Sequence, residues 1–478
     1  MGLNQKSEDK IIKENDFYKI DKFYELEEEK KREDNFDNFI QKYDNVFNKF
    51  SWNNEVYSKL LLHSLLSKLF NKVYISIKAN TIDNRINLML IQTQGTGKGK
   101  GMIMIKKIIE KLNEGNENPI KINSISDYTD AGLIGTIVET KVGKETVHVV
   151  RNGILSEEFS DIVYMEEAKI ILASSKNRKE SNVFQYINTG LNSLYSGENV
   201  ISKEMRLGTV KCKVNACFIL TTYPTPLADI EGLKSGFYRR ILTYYNNLSI
   251  SELKDNNKIL IDSIISSENQ SIEYENKTNK ELDELVEDFK KYINNYNKMI
   301  NNDKLRIGIG SYVGGYIEKE VFDLIDRYNK DLNDEDSKIL ISILGSYISY
   351  ALIIASHKAI INNSTIISRE DIIYSFDIVK KVMGGLENYI DYVYESNSDW
   401  RQKDKRNLVI NIRKYLNSLF KNQKRISKMD LVKQVKDYLV EIKMPRSEMP
   451  IYSALKELQR EKFIKIEKDG RNSWVMLY

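Results

Sequence analysis

The stretch that decides the fold is INLMLIQTQGTGKGKGMIMIKKIIEKL, residues 86–112. Its first apolar run predicts a buried strand, and the apolar residues after Lys98 recur at helical spacing. The glycine-rich turn between them stands where backbone amides at a helix N-terminus can surround a phosphate group. Because strand, turn and helix follow one another in this order, the stretch predicts a phosphate-binding loop from Gln92 to Lys100.

The glycines of this loop let the backbone wrap the phosphates, and Lys98 would place a positive charge against the β- and γ-phosphates of ATP. The predicted nucleotide-binding residues are Gln94, Gly95, Thr96, Gly97, Lys98, Gly99 and Lys100. Two positions depart from the usual loop. Gln92 stands where the first glycine is usual, and Gly99, followed by Lys100, stands where a serine or threonine would normally hold Mg²⁺. The expected cofactors are ATP and Mg²⁺, with coordination of the metal left open.

An acidic pair follows the apolar segment VVRNGILSEEF, residues 149–159. Carboxylates at the end of a strand beside a phosphate loop can hold Mg²⁺ and polarise an attacking water. The segment therefore predicts a strand that ends in Glu157 as a metal ligand and Glu158 as the general base. A second acidic pair occurs at Glu166 and Glu167. The spacing from Lys98, and not the pairing alone, favours the first.

A further apolar segment, ACFILTTYPTP at residues 216–226, predicts a strand that ends in hydroxyl groups. Thr222 at its end is predicted to orient the attacking water, with Thr221 or Tyr223 as neighbours whose roles stay open.

Two arginines follow in GLKSGFYRRILTYY, residues 232–245, just before an aromatic-rich strand. In a ring of subunits, one of them can reach the γ-phosphate bound by the adjacent subunit and stabilise charge in the transition state. Arg240 is preferred for this role and Arg239 is the alternative.

The periodicity divides the chain into four regions. They are a helical N-terminal region (1–75), an α/β core that alternates short apolar runs with helices (76–250), a helical lid (251–395) and a C-terminal DNA-binding domain (396–478).

The C-terminal region is predicted to fold as a winged helix. Residues 406–478 show three helical stretches followed by a hairpin with a turn at Asp469–Gly470. Ser447 is expected to cap the helix that enters the major groove. Residues 401–478 carry 20 Lys or Arg against 9 Asp or Glu, whereas the whole chain has a net charge of only +4. A basic module on an acidic body suits a nucleic-acid partner. The predicted DNA contacts here are Arg446, Lys456, Arg460, Lys468 and Arg471.

Over residues 86–390, the order of these elements resembles AAA+ ATPases, and among them the minichromosome-maintenance (MCM) helicases and their relatives in phages and mobile elements. SEEF resembles the DEF of that family, TTYP stands where it has ANP, and RRI resembles its arginine-finger segment. The segment before ACFILTT resembles a hairpin that projects into the ring channel in that family. The resemblance implies that Lys203 and Arg206 contact DNA near its tip.

The resemblance further implies an α/β P-loop NTPase (AAA+) core and a homo-hexameric ring that couples ATP hydrolysis to helicase or translocase activity. The expected partners are single-stranded or forked DNA, with replication proteins such as a primase or polymerase. Replication of a phage, plasmid or mobile element is the expected setting. The chain departs from the family in three ways: it lacks the hydroxyl after Lys98, the lid segment at 346–360 shows no arginine for a second sensor, and the N-terminal region is too short for the family's collar.

Two other functions remain open. An initiator or loader that binds ATP and hydrolyses it slowly would follow from the missing hydroxyl at Gly99. A nucleotide kinase is the third candidate, because nucleoside monophosphate kinases also have glycine after the loop lysine. However, they continue with threonine where this chain has Lys100.

The sequence also predicts a cytoplasmic protein without a membrane partner. The N-terminus has no apolar core of signal-peptide length, and no other apolar run is expected to approach the length of a membrane span. Cys212 and Cys217 lie five residues apart in an apolar stretch, where a strand would point them to opposite sides. They are expected to be reduced core residues.

Overall fold

A computed structural model describes two compact units. The first comprises Met1–Pro224, Lys234–Ile317 and Ser346–Leu386, and the second Thr225–Leu233, Glu318–Gly345 and Glu387–Tyr478. Within them, the described residues are 35–51, 55–77, 80–93, 98–125, 129–142, 145–168, 181–191, 199–224, 236–246, 254, 268–301, 304–331, 334–397, 400–442, 444, 446–469 and 472–478.

The helices are α1 (Asn35–Phe50), α2 (Glu55–Leu69), α3 (Lys98–Asn113), α4 (Asp130–Leu133), α5 (Ser181–Gly190), α6 (Glu268–Met299), α7 (Val313–Asp331), α8 (Asp334–Ile361), α9 (Arg369–Asn397), α10 (Trp400–Leu419), α11 (Lys428–Glu441) and α12 (Glu448–Arg460). The strands are β1 (Val73–Ile77), β2 (Asn80–Asp83), β3 (Leu88–Gln92), β4 (Ile122–Ile125), β5 (Gly135–Val142), β6 (Glu145–Asn152), β7 (Ile162–Met165), β8 (Val200–Met205), β9 (Gly208–Lys213), β10 (Cys217–Thr222), β11 (Leu242–Asn246), β12 (Leu305–Ile309), β13 (Ile366–Ile367), β14 (Ile426–Ser427), β15 (Ile464–Asp469) and β16 (Asn472–Leu477). A short 3₁₀ turn, Phe237–Arg239, precedes β11.

The first unit is built on a parallel sheet with the strand order β11-β3-β10-β7-β4. β3, β7 and β10 are buried along their whole length. Such continuous apolar runs are typical of parallel strands, which are covered on both faces. The prediction of an α/β core is confirmed at this level: a mixed α/β fold with a parallel five-stranded sheet. Because all five strands run the same way, their carboxyl ends meet at one edge.

Helix α2 lies in the first unit together with the parallel sheet. The sequence had placed this helix in an N-terminal region that ends at residue 75. Nearly every side chain of this helix is buried. Tyr57 and Leu61 pack against Gly101 of α3, and Lys68 Nζ donates to the carbonyl oxygen of Asn215. A helix whose side chains are buried on all sides is a core element, whereas a surface helix buries one apolar stripe and exposes a polar face. The N-terminal helices therefore belong to the same compact unit as the sheet.

Helix α8 contains the described segment that is long and apolar enough to cross a membrane, Asp336–Ile361, whose most apolar window has a mean hydropathy of 2.0. The expectation that no run reaches this length was wrong. Its most apolar window is 61% buried within the protein. Two of its tyrosines are hydrogen-bonded inside the first unit: Tyr347 Oη donates to the carbonyl of Ile241, and Tyr350 Oη to that of Arg240. These contacts mark α8 as a core helix.

Two antiparallel hairpins accompany the parallel sheet, β5–β6 and β8–β9. The second was predicted; the first was not. Their strands are close together, since a Cβ atom on Gly208 would lie 3.3 Å from Cδ1 of Ile137. Cys212 and Cys217 are buried and free, as expected. Burial raises the pKa of the Cys212 thiol to about 11 and also raises that of Cys217.

The C-terminal part of the second unit has the order helix, strand, helix, helix, strand, strand. Strands β14, β16 and β15 form an antiparallel sheet in that order. Its core is aliphatic and includes Ile412 of α10, Val435 of α11, Leu455 of α12 and Val475 of β16. The three predicted helices and the terminal hairpin are all present. The predicted turn residue Gly470 lies outside the described residues.

Candidate functional site

The carboxyl edge of the parallel sheet is the candidate site. The register pairs Ile91 of β3 with Thr222 of β10, and Leu220 of β10 with Met165 of β7, so these strands end side by side. Helix α3 begins at Lys98 after β3. Ligands of open α/β sheets bind outside the carboxyl ends of the strands, where helix N-termini supply amide groups. This edge is therefore the place where the sequence-predicted loop and two neighbouring strands meet.

Part of the predicted loop falls outside the described residues: Gln94, Gly95, Thr96 and Gly97, together with the side chain of Lys98. The described part begins with Gly99 in the first turn of α3, where it is half-buried. Lys100 is exposed one residue later.

Glu166 is the acidic side chain that the fold brings to this helix start. It follows β7 directly, and its Oε1 lies 3.6 Å from the position that a Cβ atom on Gly99 would occupy. Among the described residues, no other heavy atom outside the local backbone lies within 4 Å of that position. The carboxylate therefore faces the residue that stands in place of the usual metal-binding hydroxyl.

The turn after β7 holds the acidic pair in a defined conformation. Glu167 has a φ of 57°, in the left-handed region, and the amide of Ala168 donates to the carbonyl oxygen of Thr221 at 2.9 Å. This bond ties the turn to β10. A non-glycine residue in that region is uncommon, and such residues cluster at functional sites.

Tyr164 links the acidic turn to α3. Burial raises the pKa of its phenol, and the charge of Glu166 raises it further. The ammonium group of Lys106 lies 5.4 Å from the ring centroid and also donates to Ser124 Oγ at 2.9 Å. The ring of Tyr164 thus brings the Lys106 cation of α3 to β7, two residues before Glu166 in the chain.

The structure overturns the strand that was predicted to end at Glu157 and Glu158. Residues 145–152 form β6, half of an antiparallel hairpin, and the two glutamates follow in a turn before β7. Glu157 Oε1 pairs with Lys213 Nζ at 3.2 Å, and Glu158 Oε2 accepts from Asn152 Nδ2 at 2.8 Å. Because this turn precedes a parallel strand, it lies at the amino edge, roughly 13 Å from the carboxyl edge. Glu157 and Glu158 are therefore not part of this site.

The pair that the fold places at the carboxyl edge, Glu166 and Glu167, was present in the sequence but carried a weaker local signal. β7 is only four residues long, Ile162–Met165, and all four are buried. A short apolar run has no periodicity that distinguishes it from other buried segments. The run before Glu157 was longer, but it contains the polar residues Arg151 and Asn152, which belong to an exposed hairpin.

Thr222 lies at the carboxyl edge, as predicted. It is buried at the end of β10, and its hydroxyl donates to the carbonyl oxygen of Tyr223 at 3.2 Å. Since β10 separates β3 from β7, Thr222 lies between β3, which precedes the predicted phosphate-binding loop, and β7, which Glu166 follows.

The two arginines lie at the opposite, amino edge of the sheet. Arg240 is half-buried: its Nη1 donates to Asn188 Oδ1 at 3.3 Å and to the carbonyl of Gly236 at 3.1 Å. Burial lowers the pKa of this guanidinium, and the neighbouring Arg239 lowers it further. Arg239 is exposed. β11 is five residues long, so both arginines are roughly 16 Å from the carboxyl edge of their own sheet.

The predicted basic hairpin is present as β8–β9, but its two cations differ in position. Arg206 is exposed in the turn between the strands. Lys203 lies within β8, opposite Val210, and is half-buried. Arg206 therefore marks the tip, and Lys203 lies along the strand.

In the second unit, the predicted DNA contacts fall on two elements. Lys456 and Arg460 are exposed one turn apart on α12, and Lys468 is exposed near the end of β15. Arg446 precedes α12 and is half-buried, and Arg471 lies outside the described residues. Ser447 occupies the N-cap of α12 with an extended backbone, but its side chain makes no capping hydrogen bond.

The described residues contain no group of three or more His, Cys, Asp and Glu side chains that would form a closed metal site. Mg²⁺ does not require one, because it usually keeps several waters and takes one or two carboxylates together with substrate phosphates. The adjacent Glu166 and Glu167 fit that donor set.

Comparisons with known proteins were negative. No family model matches the sequence, and no curated protein sequence matches it. The functional conclusion therefore depends on the carboxyl edge of the sheet and on the surface of the second unit.

Proposed function

We propose that this protein is a Mg²⁺-dependent ATPase that moves along DNA as a translocase or helicase. The observation that carries the proposal is the approach of Glu166 to Gly99 at the start of α3. A glycine-rich loop, a helix N-terminus and a carboxylate on a parallel strand are the parts that nucleoside triphosphate hydrolysis needs. A homo-hexamer acting on single-stranded or forked DNA during replication is part of the same proposal.

The chain's own residues then have distinct roles. The amides at the start of α3 and Lys98 would hold the phosphates, and Glu166 would hold Mg²⁺ directly or through water. The bound ion would neutralise charge that develops on the phosphates. Glu167 would accept the proton of the attacking water, which Thr222 would orient from the adjacent strand. Glu166 and Glu167 thus take the roles first expected of Glu157 and Glu158.

An arginine at the amino edge can act only on a nucleotide held by another subunit, because its own carboxyl edge is too far away. Arg240 was preferred from the sequence. Its bond to Asn188 and its partial burial favour a role in positioning the 3₁₀ turn. Arg239 is exposed, and we propose it as the arginine that reaches the neighbouring nucleotide.

DNA binding is assigned to the C-terminal unit and to the β8–β9 hairpin. The helix and strand order of the unit and the exposed cations of α12 support a winged helix. Arg206 at the hairpin tip is available for phosphate contacts.

One observation favours a second function. Gly99 supplies no hydroxyl to the metal, so an initiator or loader that binds ATP and hydrolyses it slowly would use the same fold. Nothing comparable supports a nucleotide kinase.

The test is ATP hydrolysis by the full chain, with and without single-stranded and forked DNA. Glu167→Gln should lower DNA-stimulated turnover by about 10²-fold or more, since general base catalysis contributes 10²- to 10⁴-fold. Lys98→Ala and Arg239→Ala should abolish the stimulation of ATP turnover by DNA. Glu158→Gln is the matched control, with the same chemical change at the opposite edge, and should retain turnover.

Equal losses in Glu158→Gln and Glu167→Gln would contradict the assignment of the acidic pair. ATP binding by the wild-type chain without turnover would support the slow switch instead of the motor.

A further inference from the structure

A basic segment of the second unit lies outside the set of DNA contacts predicted from the sequence. Residues 421–428, KNQKRISK, contain four cations and no acidic residue. The segment joins α10 to α11 and includes the short strand β14. Its cations are Lys421, Lys424, Arg425 and Lys428, and we call these four residues the basic strip.

The guanidinium group of Arg425 lies over an aromatic ring. Its guanidinium carbon lies 4.7 Å from the ring centroid of Trp474 on β16. The pairing of Ser427 with Trp474 brings the two strands together, and Val475, the next residue, points into the core. A guanidinium held over a ring by cation–π attraction can still donate from its N–H groups to a further partner. Trp474 therefore holds the donors of Arg425 at the surface.

Lys428 is held in the same manner by a different element. Its ammonium group lies 5.3 Å from the ring centroid of Tyr452 on α12. Lys456 and Arg460 lie one and two turns farther along α12. The basic strip is therefore continuous with the surface already proposed to bind DNA.

The cations of the strip have no carboxylate partner among the described residues, whereas two other cations of this unit do. Arg413 is paired with Glu461 at 3.1 Å, and Lys465 with Glu467 at 2.6 Å. No such ion pair involves Arg425 or Lys428. Cations that are positioned by aromatic rings and have no carboxylate partner can pair with an external anion.

We infer that Arg425 and Lys428 form a second DNA contact, which binds the sugar–phosphate backbone regardless of base sequence. The inference rests on the proposed function, because it requires that the chain binds DNA. A phosphate suits both groups: the guanidinium edge matches its oxygens, and the ammonium group supplies a point charge. The contact would hold the duplex while α12 faces the bases.

The experiment measures binding of the full chain to two duplexes of unrelated sequence by fluorescence anisotropy between 50 and 200 mM salt. Loss of one phosphate contact reduces the slope of log K against log[salt] by about 0.9, which is roughly eightfold in Kd at 0.1 M salt. Arg425→Ala and Lys428→Ala should each show this change equally on both duplexes.

Lys433→Ala is the matched control. It removes the same charge from α11 at an exposed position about 140° around the helix from Lys428. It should leave the slope and the affinity unchanged. Arg425→Lys should keep the wild-type slope while it weakens binding, because charge is retained and the planar fork is lost.

Trp474 gives a second, local measurement. With Trp52 and Trp400 replaced by Phe, in a chain that keeps wild-type DNA affinity, the emission of Trp474 should change on DNA addition and saturate with the binding curve. Arg425→Ala should remove most of that change.

The outcomes separate the two proposals. If the wild type binds DNA and both strip variants keep its slope, the inference is overturned while the proposed function stands. If the wild type binds neither the duplexes nor single-stranded or forked DNA at 50 mM salt, the proposed function fails and the inference fails with it. Binding to single-stranded or forked DNA without binding to either duplex overturns the inference alone. If polyglutamate competes for the strip better than DNA does, the surface is assigned to an acidic protein partner instead.

Discussion

Acidification should destabilise the first unit through two buried histidines that share a hydrogen-bond chain. His63 Nδ1 and His357 Nδ1 are 3.1 Å apart, His357 Nε2 lies 2.9 Å from Asn84 Oδ1, and His63 Nε2 lies 3.0 Å from Tyr374 Oη. The Asn84 amide nitrogen donates to the carbonyl of Phe70. Its oxygen must therefore accept from His357 Nε2–H, which leaves His357 Nδ1 to accept from His63 Nδ1–H, and His63 Nε2 to accept from Tyr374.

This chain of donors leaves no place for an additional proton. Burial lowers the pKa of His357 to about 3. Burial also lowers the pKa of His63 well below its ordinary value, and the charges of His357 and Lys59 lower it further. In the unfolded chain, both imidazoles take up protons near pH 6.5. Because the unfolded state binds more protons, stability is fully present above pH 6.5 and is lost as the pH falls below it.

At pH 5.0, the unfolded histidines are 1.5 pH units below their ordinary pKa, which corresponds to about 2 kcal/mol for each histidine at 1.36 kcal/mol per unit. Both rings are fully buried, so solvent does not reduce this figure. The pair should therefore contribute a loss of about 4 kcal/mol between pH 7.5 and pH 5.0.

The assay is urea unfolding at both pH values for the wild type and for His63→Gln/His357→Gln. The double variant should be less stable at pH 7.5, but its loss on acidification should be about 4 kcal/mol smaller. His148→Gln replaces an exposed histidine on β6 and should keep the wild-type loss. Hydrogen exchange of residues 55–69 in the wild type should show a corresponding loss of protection on acidification. This measurement does not depend on whether the double variant folds. Equal losses in the wild type and double variant would refute the reasoning.

Two further changes test the packing around α3. Gly99→Ser should fold normally, since the one contact of its Cβ among the described residues would be with Glu166 Oε1 at 3.6 Å. If the added hydroxyl supplies a metal contact worth about 1.5 kcal/mol, the Mg²⁺ concentration for half-maximal hydrolysis should fall by about tenfold, and an unchanged requirement would contradict the metal site. Gly101→Ala should lower the free energy of unfolding by about 1–3 kcal/mol, because its Cβ would lie 2.8 Å from Tyr57 Oη and 2.9 Å from Leu61 Cδ1. Gly384→Ala in α9, where nothing lies within 4 Å of the added carbon, is the control and should not destabilise the protein by thermal unfolding.

Local sequence patterns predicted elements whose signals lie within a few consecutive residues. The buried β3 followed by α3, and β10 ending at Thr222, are present where the apolar runs placed them. The same is true of the helices and hairpin of the C-terminal unit. These elements have strong periodicity or clear turn signals, and their local preferences agree with the tertiary structure.

Errors arose where the outcome depended on distant residues. Which acidic pair reaches α3 depends on which strand pairs with β10. That strand, β7, is too short to be predicted from its own sequence. Helix α2 was read as part of a separate region because nothing in its own sequence reveals that β-sheet and lid helices enclose it. Likewise, nothing near Arg240 in the sequence indicates its hydrogen bond to Asn188, which is 52 residues away in the chain.

The sequence by itself determined that this chain contains a glycine-rich loop between a buried strand and a helix, a set of apolar strands and a basic C-terminal module. Only the tertiary structure decided which carboxylate faces Gly99, that the arginines lie at the other edge of the sheet, and that Arg425 lies over the ring of Trp474. The physical reason is range: helix and strand periodicity is encoded in neighbouring residues, whereas strand order and side-chain environment depend on contacts between residues far apart in the chain.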